Sequence, residues 1–217
     1  MLSGVTGQAH WVSMAGELLE TALTRFADGS GGFYDTADDG EALLYRPADP
    51  ADGPTPSGAF AAAGALLSYG ALTGSSRHRE AAQAALGTVA PIAARYPRAA
   101  GAGLAVAEAL IAGPAEIAVV GPPGDPRTAA LHRAALLAAP PGAVMAIGDG
   151  TGAADTPDGQ LVPLLRGRRP TDGYPTVYVC RNFACRMPIS DLMELRGVLE
   201  YPADGPPDEQ RLDSPVV

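Results

Sequence analysis

Apolar residues recur every three or four positions near the start of the chain, over the stretch 8–28. This spacing places them on one face of an α-helix and predicts an amphipathic helix, which the glycine-rich run DGSGG ends. The residues expected on its buried face are Trp11, Met14, Ala15, Leu18, Leu19, Ala22 and Phe26.

The pattern predicts a second helix over 55–74, TPSGAFAAAGALLSYGALTG. Thr55 or Ser57 is expected to be its N-cap, because a hydroxyl oxygen can accept a hydrogen bond from a free N–H of the first turn. Gly74 is expected just past its end, where a left-handed residue is common. Its many small residues should permit close contact with neighbouring helices.

A third helix is expected over 75–97, SSRHREAAQAALGTVAPIAARYP, opened by Ser75 or Ser76. Pro91 lies inside this pattern, and a proline lacks the N–H that an interior helical position uses. We therefore expect a kink at Pro91 and an end at Pro97.

A fourth helix is expected over 99–113, AAGAGLAVAEALIAG. It is apolar on almost every side, which is typical of a helix that is covered on more than one side. Glu108, Pro114 and Glu116 interrupt this most apolar part of the chain. A buried helix followed by a strand is therefore favoured over a membrane span.

The pattern changes after Pro114. EIAVVG reads as a strand, DPRTAALHRAALLAA as a helix and GAVMAIGDG as a second strand, so the sequence predicts a βαβ unit. TVYVC predicts a third strand, and SDLMELRGVLE a last helix with Ser190 as its N-cap.

These elements divide the chain into a helical part at 1–113, a small α/β segment at 114–201 and a tail at 202–217. The tail is rich in Pro and acidic residues and is expected to be disordered. The predicted fold class is mainly α with a C-terminal α/β segment.

Composition excludes several partners. The net charge of −9 argues against nucleic acid and against anionic membrane surfaces, since both are bound by basic surfaces. The start of the chain shows neither the basic region nor the apolar run of a signal peptide. With only two cysteines no disulfide framework is implied, and the expected location is the cytoplasm.

The stretch 31–58, GGFYDTADDGEALLYRPADPADGPTPSG, holds six acidic residues and four prolines between two helical patterns. Read as a calcium loop from Asp35, it has Ala37 at the third position and Arg46 at the twelfth, where oxygen ligands are needed. We therefore expect no metal. A short extended piece at EALLYR and anchoring by Phe33 or Tyr34 would make the loop ordered.

Two interpretations of this loop stay open. Closely spaced carboxylates can act as acid and base on a sugar, and the candidate residues for that are Asp35, Asp38, Asp39 and Glu41. The other interpretation is a solvated loop held by Asx turns.

The remaining candidates favour ordinary structure. VVGPPGDPRTAAL lies between a strand and a helix but lacks the GxGxxG pattern, so no nucleotide cofactor is expected. Cys180 and Cys185 form C-x4-C, whereas redox pairs are usually C-x-x-C and zinc needs four ligands. Two buried structural thiols are favoured, with a transient disulfide or a weak metal site as alternatives.

The acidic stretch and YVCRNFACRMPI together resemble a known family. They are similar to the C-terminal third of thioredoxin-domain-containing proteins related to spermatogenesis-associated protein 20 and to YyaL-like bacterial proteins. The resemblance covers roughly 8–200. It implies the last hairpins of an α/α toroid like that of six-hairpin glycosidases, followed by the small βαβ-type unit. The thioredoxin motif of the family has no counterpart here, so no redox activity carries over.

The resemblance implies that Asp35, Asp38, Asp39 and Glu41 match the family's acidic motif and face a carbohydrate-sized opening. After PSG the family commonly continues with Asn and Ser, but this chain has Ala59 and Phe60. The loss of two polar groups weakens any inherited site chemistry.

Three hypotheses follow. The chain is a C-terminal fragment of a toroid that binds or processes a small carbohydrate through the acidic loop. Alternatively, it is a non-catalytic interaction module that completes a partner's toroid, or a truncated, inactive gene product. An incomplete toroid also predicts an exposed apolar patch, and hence self-association or a partner chain bound by the helix faces.

Overall fold

The computed structural model describes residues 2–151 and 162–200. These residues form a mainly helical protein with one small mixed β-sheet. The predicted tail at 202–217 lies outside the described residues. The helices are α1 (Leu2–Thr6), α2 (His10–Arg25), α3 (Gly58–Thr73), α4 (Ser76–Ala85), α5 (Val89–Arg95), α6 (Gly101–Ala112), α7 (Pro126–Ala138) and α8 (Leu192–Glu200).

The predicted βαβ unit is confirmed. The sheet has the order β2-β1-β3-β4, and β1 pairs parallel to β2 with α7 as the connection between them. β3 runs antiparallel to β1, and β4 closes a hairpin on β3. The strands are β1 (Glu116–Val120), β2 (Val144–Gly148), β3 (Thr176–Arg181) and β4 (Ala184–Cys185).

The sheet is covered on both faces. Ile117 and Val119 of β1 point into a core that includes Leu131 of α7 and Leu195 of α8. The alternate residues of the same strand point into a second core, which contains residues of α2, α3 and the short 3₁₀ helix at Pro163–Leu165. Because β1 is buried on both faces, it reads as a continuous apolar run instead of an alternating one.

A third core fills the helical part. Phe60 of α3 is completely buried there, in a core to which α3, α4 and α6 contribute. A Cβ placed on Gly103 of α6 would lie 2.8 Å from the Phe60 ring and 2.3 Å from Val89. The glycine is therefore needed for the close approach of α6.

The predicted ends of α3 are confirmed. Ser57 is the N-cap, and its hydroxyl oxygen accepts a hydrogen bond of 3.2 Å from the N–H of Phe60. Gly74 follows the last helical residue with φ of 74°, in the left-handed region. A glycine adopts that conformation at little cost because it has no Cβ.

The third predicted helix is broken, as expected from Pro91. α4 ends at Ala85, a 3₁₀ turn covers Leu86–Thr88, and α5 ends at Arg95, before Pro97. Pro91 cannot donate to the carbonyl four residues earlier, which belongs to Gly87, and its ring crowds that carbonyl. The break therefore lies one turn before the proline.

The predicted buried face of α2 is partly wrong. Leu19 is buried, but Met14 and Leu18 are 48% and 66% exposed. Val12 and Gly16 are buried instead. A Cβ on Gly16 would lie 2.6 Å from the hydroxyl oxygen of Tyr69, so the small residue is needed for the approach of α3.

The expectation that the fourth predicted helix is covered on several sides is also wrong. α6 buries only Gly103 and Ala109, whereas Leu104 is 42% and Ile111 is 87% exposed. α6 packs mainly on α3, α5 and the turns beside α5, and these contacts leave its opposite side open.

The N-cap of the last helix differs from the one expected. Asp191, and not Ser190, caps α8: its carboxylate accepts hydrogen bonds of 2.8 and 2.9 Å from the N–H groups of Met193 and Glu194. At the start of the chain, α1 packs against β2, and His132 of α7 lies 2.6 Å from the carbonyl oxygen of Gly4. α1 therefore lies with the sheet.

Candidate functional site

The acidic loop between α2 and α3 begins at an aromatic anchor. Phe33 is buried in the helical core, 9% exposed, and bridges to Ala27. The N–H of Tyr34 donates to the carbonyl of Phe26 at 2.8 Å, and the Tyr34 ring lies 4.1 Å from the guanidinium carbon of Arg46. The expected anchoring by this aromatic pair is therefore confirmed.

Asp35 joins the two arms of the loop. Its N–H donates to the carbonyl of Pro47 at 2.8 Å, and its carboxylate accepts a 3.1 Å hydrogen bond from the N–H of Asp49. Arg46 donates to the carbonyl oxygens of Arg25 and Thr36 from the inside of the loop. These bonds fix the loop without a strand, and the expected extended piece at EALLYR is irregular.

Asp38 and Asp39 share one cation. Arg25, the last residue of α2, lies 3.3 Å from a carboxylate oxygen of Asp38 and 3.5 Å from one of Asp39. Both carboxylates are about half exposed, at 47% and 56%. The N–H of Asp38 also donates to the carbonyl of Arg25 at 2.9 Å. The structure thus brings these two candidates together, on a charge of opposite sign.

Glu41 lies apart from this pair on the exposed tip of the loop. Three apolar or aromatic residues follow it closely and are exposed as well: Leu43 at 47%, Leu44 at 107% and Tyr45 at 79%. The tip therefore presents an acidic side chain beside an uncovered apolar surface.

The sequence did not single out Asp52, which links the loop to the starts of two helices. One carboxylate oxygen accepts a 2.9 Å hydrogen bond from the N–H of Ser57, and the other accepts a 2.7 Å bond from the N–H of Ala102. Asp52 therefore holds the starts of α3 and α6 together. Its partner in α6 is fifty residues away, which hid the role from local patterns.

The expectation of two buried structural thiols is wrong. Cys180 and Cys185 form a disulfide, and only Cys180 is buried, at 1% exposed. They face each other across the β3–β4 hairpin, whose turn is Asn182–Phe183 with φ of 49° and 62°. In a two-residue hairpin, residues five apart are direct partners, so C-x4-C was the signal that could have revealed the bond.

A buried arginine lies against this disulfide. Nη2 of Arg168, a residue that is 8% exposed, lies 3.1 Å from Sγ of Cys185 and 3.4 Å from Sγ of Cys180. Glu116 of β1 is the cross-strand partner of Cys180 and is 2% exposed. Burial raises the pKa of Glu116, although the N–H of Phe183 and the charge of Arg168 oppose that shift.

An open cleft of about 440 Å³ is lined by Cys185, an exposed residue. Sequence reasoning missed it, because its walls come from the segment after Val162 and from the hairpin. Its lining residues are Pro163, Arg166, Gly167, Arg168, Tyr178, Phe183, Cys185 and Arg186.

The comparisons with known proteins identify no family for this chain. The chain matches no family model, and no curated protein matches its sequence. Between residues 2–151 and 162–200, no helix is both long enough and apolar enough to cross a membrane. In the same ranges, no three His, Cys, Asp or Glu side chains are grouped as metal ligands.

Proposed function

We propose that this chain is a non-catalytic interaction module whose helical part buries its open apolar faces against further helices. The observation that carries the proposal is Ile111 of α6, which is 87% exposed on a helix that is almost wholly apolar. Leu104, seven residues earlier, lies on the same face of α6 and is also exposed.

Exposed apolar residues forgo the free energy of burial. A large aliphatic side chain gains about 1.5 to 3 kcal/mol when it moves from water into a core. Met14 and Leu18 of α2, four residues apart, form a second exposed apolar pair. Exposed faces on two helices of one domain are typical of surfaces that bind another protein segment.

The resemblance noted above suggests the partner chemistry. In an α/α toroid each hairpin packs on both of its neighbours, so the helices that would cover α2 and α6 are amphipathic hairpins of the same type. We propose that they come from a partner chain or from more of the same toroid. The truncated, inactive gene product is the case in which these helices are missing altogether.

The test is self-association of the whole chain and its response to polar substitution. We expect concentration-dependent sedimentation and binding of an apolar dye. Ile111→Gln combined with Leu104→Gln should weaken both at least tenfold, because the substitutions remove the apolar face without lowering helix propensity. Leu137→Gln, at a 74% exposed apolar position of α7 outside the helical part, is the matched control and should change neither.

A monodisperse, dye-silent monomer with a cooperative melt would overturn the proposal. It would mean that the helical part needs no further helices. The same result would also remove the truncated-toroid interpretation.

Carbohydrate binding at the acidic loop is the second candidate. The specific observation is the exposed ring of Tyr45, in the same loop as the exposed Glu41 and the half-exposed carboxylates of Asp38 and Asp39. An aromatic face beside carboxylates offers a sugar both an apolar platform and hydrogen-bond acceptors. Hydrolysis would require two of these carboxylates to flank a glycosidic bond.

Titration with neutral oligosaccharides distinguishes this candidate. Tyr45→Ala and Asp38→Asn should each weaken binding at least tenfold, whereas Glu200→Gln on α8 should leave it unchanged. Absence of binding by the unaltered protein at millimolar sugar would reject the candidate.

We propose the cytoplasm as the compartment of this protein. Disulfides in that compartment are usually transient bonds that exchange with thiols.

A further inference from the structure

The disulfide lies beside a cation that has poor partners. Nη2 of Arg168 points at the two sulfurs, which are weak acceptors in a disulfide. Among the described residues, its Nε is buried without a hydrogen-bond partner, and its Nη1 has one weak partner, the carbonyl of Arg166 at 3.5 Å. No carboxylate oxygen of the described residues lies within 4.0 Å of the guanidinium.

Reduction would add a negative charge that lies closer to this cation than the carboxylate of Glu116, whose charge already acts on it. A thiolate at Cys180, which is 1% exposed, would place a full negative charge 3.4 Å from Nη2 of Arg168 and away from most of the solvent. Charge-assisted hydrogen bonds of this kind are roughly twice as strong as neutral ones. The surroundings therefore stabilise the reduced form more than the oxidised form, which makes a disulfide easier to reduce.

The two sulfurs are not equivalent. Cys185 is exposed and lines the 440 Å³ cleft, whereas Cys180 is buried. A nucleophile from solvent can therefore reach Sγ of Cys185, and the sulfur that leaves is that of Cys180. In addition, the carbonyl oxygen of Phe183 lies 3.7 Å from Sγ of Cys185 and would accept from its protonated thiol.

The charge of the cleft beside Cys185 favours a negatively charged ligand. Three arginines line the cleft: Arg166, Arg168 and Arg186. Clefts with charges of one sign raise the local concentration of ligands of the opposite sign. Among the described residues, the other charged or titratable groups near the sulfurs include Glu116 behind Cys180 and Tyr178 in the cleft wall. Arg181 donates to the carbonyl oxygens of Ala112 and Gly113, and Arg79 donates to the side-chain oxygen of Asn182 in the hairpin turn.

We propose that the Cys180–Cys185 disulfide is a thiol-exchange site, at which a small anionic thiol attacks Cys185 and Arg168 stabilises the departing Cys180 thiolate. The S–S bond breaks as the bond from the thiol to Sγ of Cys185 forms, and its electron pair stays on Sγ of Cys180. A second thiolate attacks the first thiol's sulfur in the mixed disulfide and expels Cys185.

The balance of this exchange is complete. The protein disulfide gains two electrons, and two small thiols are oxidised to one small disulfide. Each small thiol releases one proton to solvent when it ionises. Each cysteine of the protein takes up one proton when its thiolate becomes a neutral thiol, so the protons balance.

The first experiment measures thiol ionisation in the reduced, full-length protein. Alkylation by iodoacetamide is followed against pH by mass spectrometry, with each cysteine quantified separately. We expect one cysteine to react with a midpoint below the ordinary pKa of about 8.5. Arg168→Gln should raise that midpoint by about one to three units, the usual effect of removing a neighbouring opposite charge.

Two further variants separate charge from folding. Arg168→Lys keeps a positive charge and should give an intermediate midpoint. Glu116→Gln removes a negative charge beside Cys180, keeps an acceptor for the N–H of Phe183, and should lower the midpoint. A purely structural arginine would change the melting temperature in Arg168→Gln and leave the midpoint unchanged.

The second experiment measures exchange in the folded, oxidised protein. The probes are 2-mercaptoethanesulfonate, which is anionic, and 2-mercaptoethanol, which is neutral, each normalised to its rate with a small model disulfide. We expect the anionic thiol to react several-fold faster, with the advantage falling in high salt. Arg166→Gln should reduce the advantage.

Two results would overturn these inferences. If both thiols titrate at or above the ordinary value, or if the disulfide is reduced only after denaturation, the exchange site is rejected. If the normalised rates of the two thiols are equal, the preference for an anionic thiol is rejected. Neither result depends on the proposed helical interaction.

Discussion

The carboxylate of Asp52 accepts a hydrogen bond of 2.7 Å from the backbone N–H of Ala102, fifty residues later at the start of α6. Its other oxygen accepts from Ser57 at 2.9 Å, directly before α3. One side chain thus satisfies N–H groups at the starts of two helices. These groups have no partner within their own helices.

Asp52→Ala should therefore destabilise the protein by about 1–2 kcal/mol, at the upper end of the usual loss for a helix cap. Asp52→Asn keeps one acceptor and should cost less. Urea unfolding of both variants measures the free energies. The control is Asp49→Ala, since Asp49 accepts only within its own turn, from the N–H of Ala51; equal losses at the two positions would contradict the bridging role.

Gly103 and Gly197 should respond in opposite directions to alanine. At Gly103 a Cβ would meet Val89 and Phe60 at 2.3 and 2.8 Å, so Gly103→Ala should cost about 1–3 kcal/mol through overpacking. Gly197 lies inside α8 with nothing within 4 Å of the added atom, so Gly197→Ala should stabilise by about 0.5–1 kcal/mol. Thermal melts compare the two variants. A loss of stability in Gly197→Ala would contradict the open space beside α8, and unchanged stability in Gly103→Ala would contradict the tight contact of α6 with Phe60 and Val89.

The stability of the helical part should fall as the pH drops through the range of His78. Burial lowers the pKa of His78, and the charge of Arg77 adds to the shift, although Glu20 opposes it from 3.5 Å. Glu20 is held by Arg77, whose Nη2 lies 2.9 Å from its carboxylate, so it is a poor counterion for the imidazole.

Near pH 6.5 the unfolded chain therefore binds more protons at His78 than the folded protein does. The contribution of neutral His78 is fully present above pH 6.5 and is lost as the pH falls toward the lowered folded pKa. Melting temperatures between pH 5.5 and 7.5 should show this slope. His78→Asn should flatten it, and His10→Asn should not; an unchanged slope in His78→Asn would assign the effect elsewhere.

The acidic loop should show protection from amide exchange in a definite pattern. The N–H groups of Tyr34, Asp35 and Asp38 donate to backbone carbonyls and should exchange slowly, whereas those of Leu43 and Leu44 at the tip should exchange fast. Hydrogen exchange read by NMR at single residues measures this. Equally fast exchange at Asp35 and Leu44 would show that the loop is not ordered.

Local patterns predicted much of the fold. The strands and the helix of the βαβ unit, the caps at Ser57 and Gly74 and the break before Pro91 all depend on neighbours within about one turn or one strand. Propensity, capping and the missing proline N–H act over such short distances, so the sequence determines them by itself. The anchoring of the acidic loop by Phe33 was predicted on the same local grounds.

Long-range contacts decided the rest. The buried side of α2 depends on Gly16 admitting Tyr69, and the exposure of Ile111 depends on which helices are present to cover α6. Hydrophobic periodicity gives the apolar positions of a helix but not their neighbours. It therefore placed Leu18 in the core and expected α6 to be covered.

Long-range contacts also determine the disulfide of the β3–β4 hairpin and the position of Arg168 beside it. Cys180 and Cys185 were visible as a pair, but their bond required the register of β3 with β4. Arg168 is twelve residues before Cys180 and contacts it only because the chain folds back over the sheet. Burial, which removes the water that would otherwise solvate that charge, is a property of the whole fold, so only the tertiary structure could place the guanidinium against the disulfide.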